Sequence, residues 1–304
     1  MTTAAALPAP DWIWIVFTLL AVAAQTLRNA VQRSLTGRVG TLGATEVRFF
    51  FGLPFALAIF AGVTAWGGLP PRPDPAFWGW LVLGALTQIA ATFFLLAAMR
   101  ERSFVIAIAY SKTEPVQAAV FGLVFLGDAL TAGVAIAVVA ASLGVVMLSW
   151  PRGATPSGHR KLSVVQGLVS ASFFAMSSVA FRGAIEALGD ADYLVAATAT
   201  LAANLVLQTL VMLAYTWLRS PETLRAVRAA WRQALLAGLL AAFASQFWFL
   251  GFAVESAAKV RTLGVVEIVF AQAVSLRLFR ERMGWRELAG LGLVALGVVA
   301  VVNG

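Results

Sequence analysis

Two glutamates lie inside strongly apolar stretches of this sequence, where an isolated charge is costly. Glu114 and Glu267 each fall within a run of residues that is long enough to form a membrane-spanning helix. A charged group near the centre of a bilayer costs roughly 2.5–3.5 kcal/mol on insertion scales, so its presence points to a solute, a proton or a helix partner. We interpret both glutamates as candidate functional groups. For Glu46 and Arg48, near the end of another apolar run, we favour helix-to-helix ion pairing that fixes packing over a functional role.

Polar residues around the first glutamate recur at helical spacing. Tyr110, Thr113, Glu114 and Gln117 stand at positions i, i+3, i+4 and i+7, which places them on one helix face. A polar face in lipid must contact protein or water, so this face is predicted to line an internal cavity. Pro115 removes a backbone hydrogen bond and is predicted to kink the helix there.

Weaker polar pairs occur in two other apolar stretches. Gln88 and Thr92 are one helical turn apart, and Ser245 lies close to Trp248 in an aromatic segment. Pairs of this kind are more typical of interhelical hydrogen bonds than of ligand contacts. The aromatic segment also suits a solute with an apolar body.

The composition predicts an all-α membrane protein without a separate soluble domain. Hydrophobic residues make up 61% of the chain, charged residues 12%, and the mean hydropathy is +0.87. These values exclude a typical soluble domain, and unbroken apolar runs satisfy their backbone groups in lipid as helices. About ten runs of sufficient length are predicted as spans, near 12–34, 44–66, 76–98, 103–126, 130–150, 163–186, 192–217, 232–253, 257–279 and 285–302.

The chain repeats itself at a constant offset of 153 residues. Glu267 then matches Glu114, and Gly297 matches Gly144 in helices rich in small residues that allow close packing. The repeat predicts two five-helix units, and duplicated membrane units commonly enclose a pathway between them. We expect a first repeat at 1–151, a linker at 152–162 and a second repeat at 163–304.

Residue types exclude several classes of chemistry and predict an orientation. Cysteine is absent, and the one histidine, His159, lies in the predicted linker, so no metal or other cofactor is expected. The net charge of +8 does not indicate nucleic acid, because the basic residues concentrate in the odd-numbered connections between spans. The positive-inside rule then places those connections in the cytoplasm and both termini outside.

Short motifs recur along essentially the whole chain, at Arg48, Glu114, Pro115, Gly127, Asp128, Gly133, Gly144, Glu281, Gly290 and Gly297. These motifs resemble the drug/metabolite transporter superfamily, specifically its EamA-type exporters with ten helices. Asp128 stands where that family usually has Glu, Arg280 stands before Glu281 where Gly is usual, and Glu267 is not followed by Pro.

The resemblance implies two inverted five-helix repeats around a central cavity, working by alternating access in the plasma membrane. It implies export of aromatic or small neutral amino acids or related metabolites, with protons as a possible coupling ion and the bilayer as the surroundings. The protein is expected as a monomer or a homodimer. Substrate contacts are then expected at Gln88, Thr92, Tyr110, Thr113, Glu114, Gln117, Ser245, Trp248 and Glu267, with gating or packing roles for Pro115, Gly144 and Gly297.

Four alternatives remain open at this point. Two are transporters, either a facilitator without ion coupling or an exporter of cationic drugs with the same fold. A third is a membrane enzyme acting on lipid phosphates through Arg28, Arg48 and Arg102; the repeat and the absence of an Asp-rich metal motif and of suitable His or Cys residues argue against it. A channel or scaffold is the fourth.

Overall fold

The computed structural model describes residues 10–101, 107–108, 111–148, 157–270, 273 and 285–303, and every regular element in these ranges is helical. The all-α prediction is therefore confirmed. The helices are α1 (Ile13–Phe50), α2 (Leu53–Gly67), α3 (Pro75–Glu101), α4 (Glu114–Phe125), α5 (Ala132–Leu148), α6 (Ser157–Glu186), α7 (Tyr193–Arg219), α8 (Pro221–Ala229), α9 (Trp231–Val254), α10 (Ala257–Leu263) and α11 (Trp285–Asn303).

The first two predicted spans are joined without a loop. Gly40 interrupts α1 with φ 71° and ψ 174°, so the chain turns sharply inside one nominally continuous helix. A positive φ is readily adopted by glycine, which has no Cβ to clash. The residues after Gly40 then run through a short turn at Phe51–Gly52 into α2, and together they form the second span.

Five stretches of the described residues are long and apolar enough to cross a membrane. They are Ile13–Gly67, which contains both arms around Gly40, and Pro75–Arg100, Leu162–Glu186, Tyr193–Arg219 and Trp231–Val254. The predicted spans at 103–126 and 257–279 are wrong as continuous helices, because the chain is interrupted within each of them. In addition, α6 begins at Ser157, inside the segment expected to be a linker.

A short helix that the hydropathy pattern does not predict, α8, lies between α7 and α9. Pro221 stands at its start and Glu222 lies in its first turn, and both features favour a helix N-terminus. Its buried residue Val227 packs near Gly43, where an added Cβ would lie 3.1 Å from a Val227 methyl group. The helix therefore fastens the connection between two spans to α1.

The most extensive helix contacts join the two sequence repeats. Helix α1 packs on α9, α3 on α6, α5 on α11, and α2 on α7. At the offset of 153 residues α1 corresponds to α6 and α3 to α9, so the α1–α9 and α3–α6 contacts are two copies of one packing arrangement. The repeats thus interlock, because helices α1, α2, α3 and α5 each pack most extensively against a helix of the other repeat.

Small residues set the closest of these approaches. A Cβ built on Gly297 would lie 2.7 Å from both the Cβ and the backbone nitrogen of Ala141, so α11 touches the backbone of α5. Gly238 on α9 similarly meets the turn at Phe51, where an added Cβ would be 2.4 Å from the backbone carbonyl carbon. Backbone atoms cannot move aside as a flexible side chain can, so these two contacts require glycine.

We predict that Gly238→Ala destabilises the protein by about 1–3 kcal/mol, the usual cost of overpacking, because the new methyl group meets backbone at Phe51. Gly62→Ala is the matched control, since Gly62 is helical and has nothing within 4 Å of an added Cβ. Thermal unfolding in detergent should show a lower Tm for the first variant and an equal or higher one for the second. Equal melting temperatures would contradict the packing argument.

Candidate functional site

The two candidate glutamates, Glu114 and Glu267, each follow a break in a helix. In the first repeat Lys112 and Thr113 form a turn, and α4 begins at Glu114. In the second repeat α10 ends at Leu263, a 3₁₀ turn covers Gly264–Val266, and the helix resumes at Glu267. The free N–H groups and the dipole at the start of a helix favour a carboxylate there.

The two breaks are equivalent in position but have different local causes. Ser111–Thr113 maps onto Gly264–Val266 at the offset of 153 residues. In the first repeat Pro115 removes a helical N–H and its ring opposes a helical carbonyl one turn earlier. In the second repeat the corresponding residue is Ile268, and Gly264 instead lets the chain approach Trp248, whose ring carbon Cη2 would be 2.6 Å from an added Cβ.

Each glutamate forms an ion pair with a cation of the other repeat. Glu267 Oε2 lies 2.5 Å from Lys112 Nζ, and Glu114 Oε1 lies 2.8 Å from Arg261 Nε. All four side chains are no more than 5% exposed. A buried pair that loses one partner leaves an uncompensated charge, so these two pairs hold the repeats together at the centre of the protein.

Glu267 is further held by the first helix. Gln25 Nε2 donates to its Oε2 at 2.7 Å, and Asn29 Nδ2 donates to its Oε1 at 2.8 Å. Trp248 Nε1 in turn donates to Gln25 Oε1 at 2.9 Å. Both oxygens of the Glu267 carboxylate therefore accept hydrogen bonds, which a charged group requires when it is buried away from solvent.

Arg261 is enclosed by aromatic rings as well as by its carboxylate partner. Its Cζ lies 4.2 Å from the ring centroid of Trp248 and 5.1 Å from that of Phe252. Its Nε also donates to Ser178 Oγ at 2.7 Å. Cation–π contacts are stronger when the cation is desolvated, so the rings stabilise a guanidinium that water does not reach.

A second polar cluster lies between α3, α7 and the second arm of α1. Gln88 Oε1 accepts from Gln208 Nε2 at 2.9 Å and from Asn204 Nδ2 at 3.4 Å. Thr92 Oγ1 accepts from Arg48 Nη1 at 2.9 Å and donates to the backbone carbonyl of Gln88 at the same distance. In this state Gln88 and Thr92 therefore make interhelical hydrogen bonds.

The structure brings some of the predicted site residues together and separates others. Glu114, Trp248 and Glu267 share one network, whereas Gln88 and Thr92 belong to the second cluster. Ser245 is buried on α9, Thr113 and Gln117 are half-buried, and Tyr110 lies outside the described residues. The turn at Lys112 and Thr113 interrupts the helix on which one polar face from Tyr110 to Gln117 was predicted, and the Tyr110 end of that face lies outside the described residues.

The residues predicted to have gating or packing roles lie at a helix start and within two packed helices. Pro115 is the second residue of α4, directly after the break. Gly144 is buried in α5, and Gly297 meets Ala141 across the α5–α11 contact. The described residues contain no group of three or more His, Cys, Asp or Glu side chains that could hold a metal ion.

The helix-to-helix ion pairing predicted for Glu46 and Arg48 is not found among the described residues. Glu46 Oε1 instead accepts from Thr216 Oγ1 at 3.0 Å, and Arg48 donates to Thr92. Residues two positions apart point to different sides of a helix, so they contact different neighbours. Sequence reasoning also missed the roles of Ser178 and Arg261: Ser178 carried no signal, and Arg261 was indistinguishable from a basic residue at a span entrance.

The network is closed off from the surroundings in this state. Arg28, Lys112, Glu114, Arg261 and Glu267 are all at most 5% exposed. A cavity of about 350 Å³ lies at the protein surface and is lined by residues outside the network, namely Arg38, Ala229, Ala230, Trp231, Arg232 and Gln233. A solute can therefore reach the ion pairs only after helices move apart.

We predict that Glu267→Gln lowers stability by about 3–5 kcal/mol, because it leaves the buried Lys112 ammonium without its partner. Adding Lys112→Met should recover part of that loss, since the double variant buries neither charge. The measurement is thermal unfolding of the purified variants in detergent, analysed as a double-mutant cycle. Strictly additive effects would show that the two charges are not coupled.

The comparisons with known proteins agree with this architecture. The model of the EamA-like transporter family matches residues 12–150 and, separately, residues 161–303. One solved protein, described only as "Crystal structure of protein", has a TM-score of 0.65 at 17% identity, covering 95% of this chain and 94% of that one. That likeness shows the fold alone, and no curated protein matches this sequence. Since the family model matches twice and spans nearly the whole chain, this multi-pass membrane protein belongs to the EamA-like transporter family, with two repeats of its helical unit.

Proposed function

We propose that the protein is a secondary transporter that exports amino acids, aromatic or small neutral, or related metabolites across the plasma membrane by alternating access. The observation that carries this proposal is the pair of ion pairs that join the repeats, Lys112 to Glu267 and Arg261 to Glu114. They lie at equivalent helix breaks and are closed off from solvent. Broken helices at the interface of two repeats are typical of solute sites in secondary transporters.

The ion pairs link opening of the protein to a change of charge at its centre. Separating Arg261 from Glu114 while both stay dry leaves two uncompensated charges, which is strongly unfavourable. A solute group, water or a proton that takes the place of one partner removes that penalty. A ligand shifts the equilibrium between the closed and the open state only if it binds one of them more tightly. The ion pairs provide this difference in affinity, because their charged groups are occupied by each other in the closed state.

The interlocked packing supports a particular choice of moving bodies. Helices α1 and α9 pack together as one pair, and α3 and α6 form the equivalent pair. We propose that these pairs, each built from both repeats, rock against each other while the breaks at Lys112–Thr113 and Gly264–Val266 act as hinges. Motion of one sequence repeat as a block would instead separate the largest buried faces.

The side chains around the breaks support an amino acid as substrate. Glu114 and Glu267 are carboxylates that can bind an ammonium or carry a proton once their pairs open, and the ring of Trp248 can contact an apolar side chain. Gln88, Thr92 and Tyr110 supply further polar groups in the first repeat. We propose these residues, with Thr113, Gln117 and Ser245, as the substrate-binding set.

The proposal predicts saturable counterflow of radiolabelled L-phenylalanine or L-alanine in proteoliposomes. Glu114→Gln should abolish the response to an imposed proton gradient yet leave counterflow measurable, since counterflow needs binding and movement but no net proton transfer. The control is Arg225→Gln, which changes an exposed arginine on α8 and should behave as the wild type.

Three results would contradict parts of this proposal. Flux that does not saturate would indicate a channel. Transport of cationic drugs in place of amino acids would indicate a multidrug exporter. Wild-type flux that ignores the proton gradient would indicate a facilitator, with the glutamates serving structure alone.

The contacts between connections support the orientation proposed from the charges. Arg38, after the first span, donates to Gln233 at the start of α9 at 3.0 Å. Arg100, at the end of α3, donates to Thr41 at 3.1 Å. The first, third and seventh connections therefore lie at the same end of the helices, and we propose that this end faces the cytoplasm.

The absence of cysteine makes this orientation directly testable. We predict that Asp190→Cys, in the exposed connection between α6 and α7, reacts with a membrane-impermeant maleimide in intact cells. Arg225→Cys on α8 should react only after the membrane is opened. The reverse pattern would place both termini in the cytoplasm.

A further inference from the structure

Two buried arginines at the centre of the protein form no direct ion pair with a carboxylate among the described residues. Arg28 is 1% exposed; its Nε and Nη2 donate to Asn29 Oδ1 at 3.3 and 2.8 Å, while its Nη1 has no hydrogen-bond partner. Arg48 is 2% exposed; its Nη1 donates to Thr92, and its Nε has no partner. A buried guanidinium with unused donors is costly unless something else completes it.

The charges around these arginines do not balance. Arg28 lies within electrostatic range of Glu267, and Arg48 lies within range of both Arg28 and Arg261. Across the described network four cations, Arg28, Arg48, Lys112 and Arg261, face two carboxylates, and Glu114 and Glu267 are already paired with Arg261 and Lys112. Glu46, the third carboxylate that is buried among the described residues, is bound to Thr216. The centre therefore carries excess positive charge and open N–H donors.

We propose that Arg28 and Arg48 bind the oxyanion of the transported solute, its carboxylate if the proposed function is correct, on which this inference rests. Arginine presents N–H donors in a planar fork that matches a carboxylate. The solute would satisfy the unused Arg28 Nη1 and Arg48 Nε and would offset the excess charge when the helices close. Glu114 and Glu267 are both paired with cations, and as carboxylates they do not bind that anion.

This assignment restricts the substrate class. Solutes must be anionic or zwitterionic, because a purely cationic compound would add to the positive charge at the centre. An ammonium group is tolerated only when a carboxylate accompanies it. Phosphate has the same hydrogen-bonding chemistry, so it must be compared directly with a carboxylate.

The test is thermal unfolding of the detergent-purified full chain with four probes. L-phenylalanine and 3-phenylpropionate carry a carboxylate, L-phenylalaninamide lacks it but keeps the ammonium, and inorganic phosphate is the other oxyanion. We expect concentration-dependent increases in Tm with the two carboxylates and none with the amide. Arg28→Gln and Arg48→Gln should each weaken carboxylate binding by about tenfold or more, whereas Arg225→Gln should not.

The unliganded proteins separate binding from a structural role. If Arg48 binds solute, removing an uncompensated buried charge should leave the unliganded Tm of Arg48→Gln unchanged or higher. Arg48→Lys keeps the charge but loses the fork, so its carboxylate affinity should fall between wild type and Arg48→Gln. A large fall in unliganded Tm with unchanged affinity would assign Arg48 to structure and overturn the proposal.

The remaining outcomes also decide the matter. Equal stabilisation by L-phenylalanine and its amide, stabilisation by phosphate alone, or no shift with any probe overturns the carboxylate assignment. If counterflow persists and Arg28→Gln and Arg48→Gln bind the solute as tightly as the wild type, this inference is refuted and the transport proposal stands. Arginine-dependent carboxylate binding without any flux would refute transport and leave only a carboxylate site at Arg28 and Arg48.

Discussion

The structure depends on one constraint: every charge that is shielded from water needs a partner. Inside a bilayer a lone ammonium or carboxylate is costly, and a charge whose partner is removed destabilises the fold strongly. Lys112 and Glu267, and Arg261 and Glu114, meet this constraint by pairing across the repeats. The helix breaks, the amides that bind Glu267 and the rings that enclose Arg261 all serve to hold these pairs in place.

Close packing gives the pairs a rigid surrounding. Helices α5 and α11 approach until Gly297 touches the backbone of Ala141, and Gly238 meets the turn at Phe51. In lipid, helices associate through such packing and through polar contacts, because burying apolar surface against another helix gains little over burying it against lipid. The α1–α9 and α3–α6 contacts therefore hold the two repeats together in addition to the chain connection.

Hydropathy predicted the all-α fold and most spans, because each apolar run carries its own length signal. It did not predict the breaks before Glu114 and Glu267, since one depends on Pro115 and the other on the fit of Gly264 against Trp248, a contact between distant segments. The repeat identified the two glutamates as equivalent, yet their partners could not be inferred. Arg261 and Lys112 are not equivalent at the offset of 153 residues. The two ion pairs therefore have the same role, but their cations do not occupy matching positions in the repeats.

The contacts of α1 have a consequence for the order in which the protein is made. Gln25 and Asn29 bind Glu267, which lies 242 and 238 residues later in the chain. At a synthesis rate of roughly 5–20 residues per second, about 10–50 seconds pass before that carboxylate exists. Until then the amides of α1, and Arg28 beside them, are without their final surroundings. The first helix must therefore be sheltered during insertion, by the translocation machinery or by a position near the membrane surface, and it can settle only when the second repeat arrives.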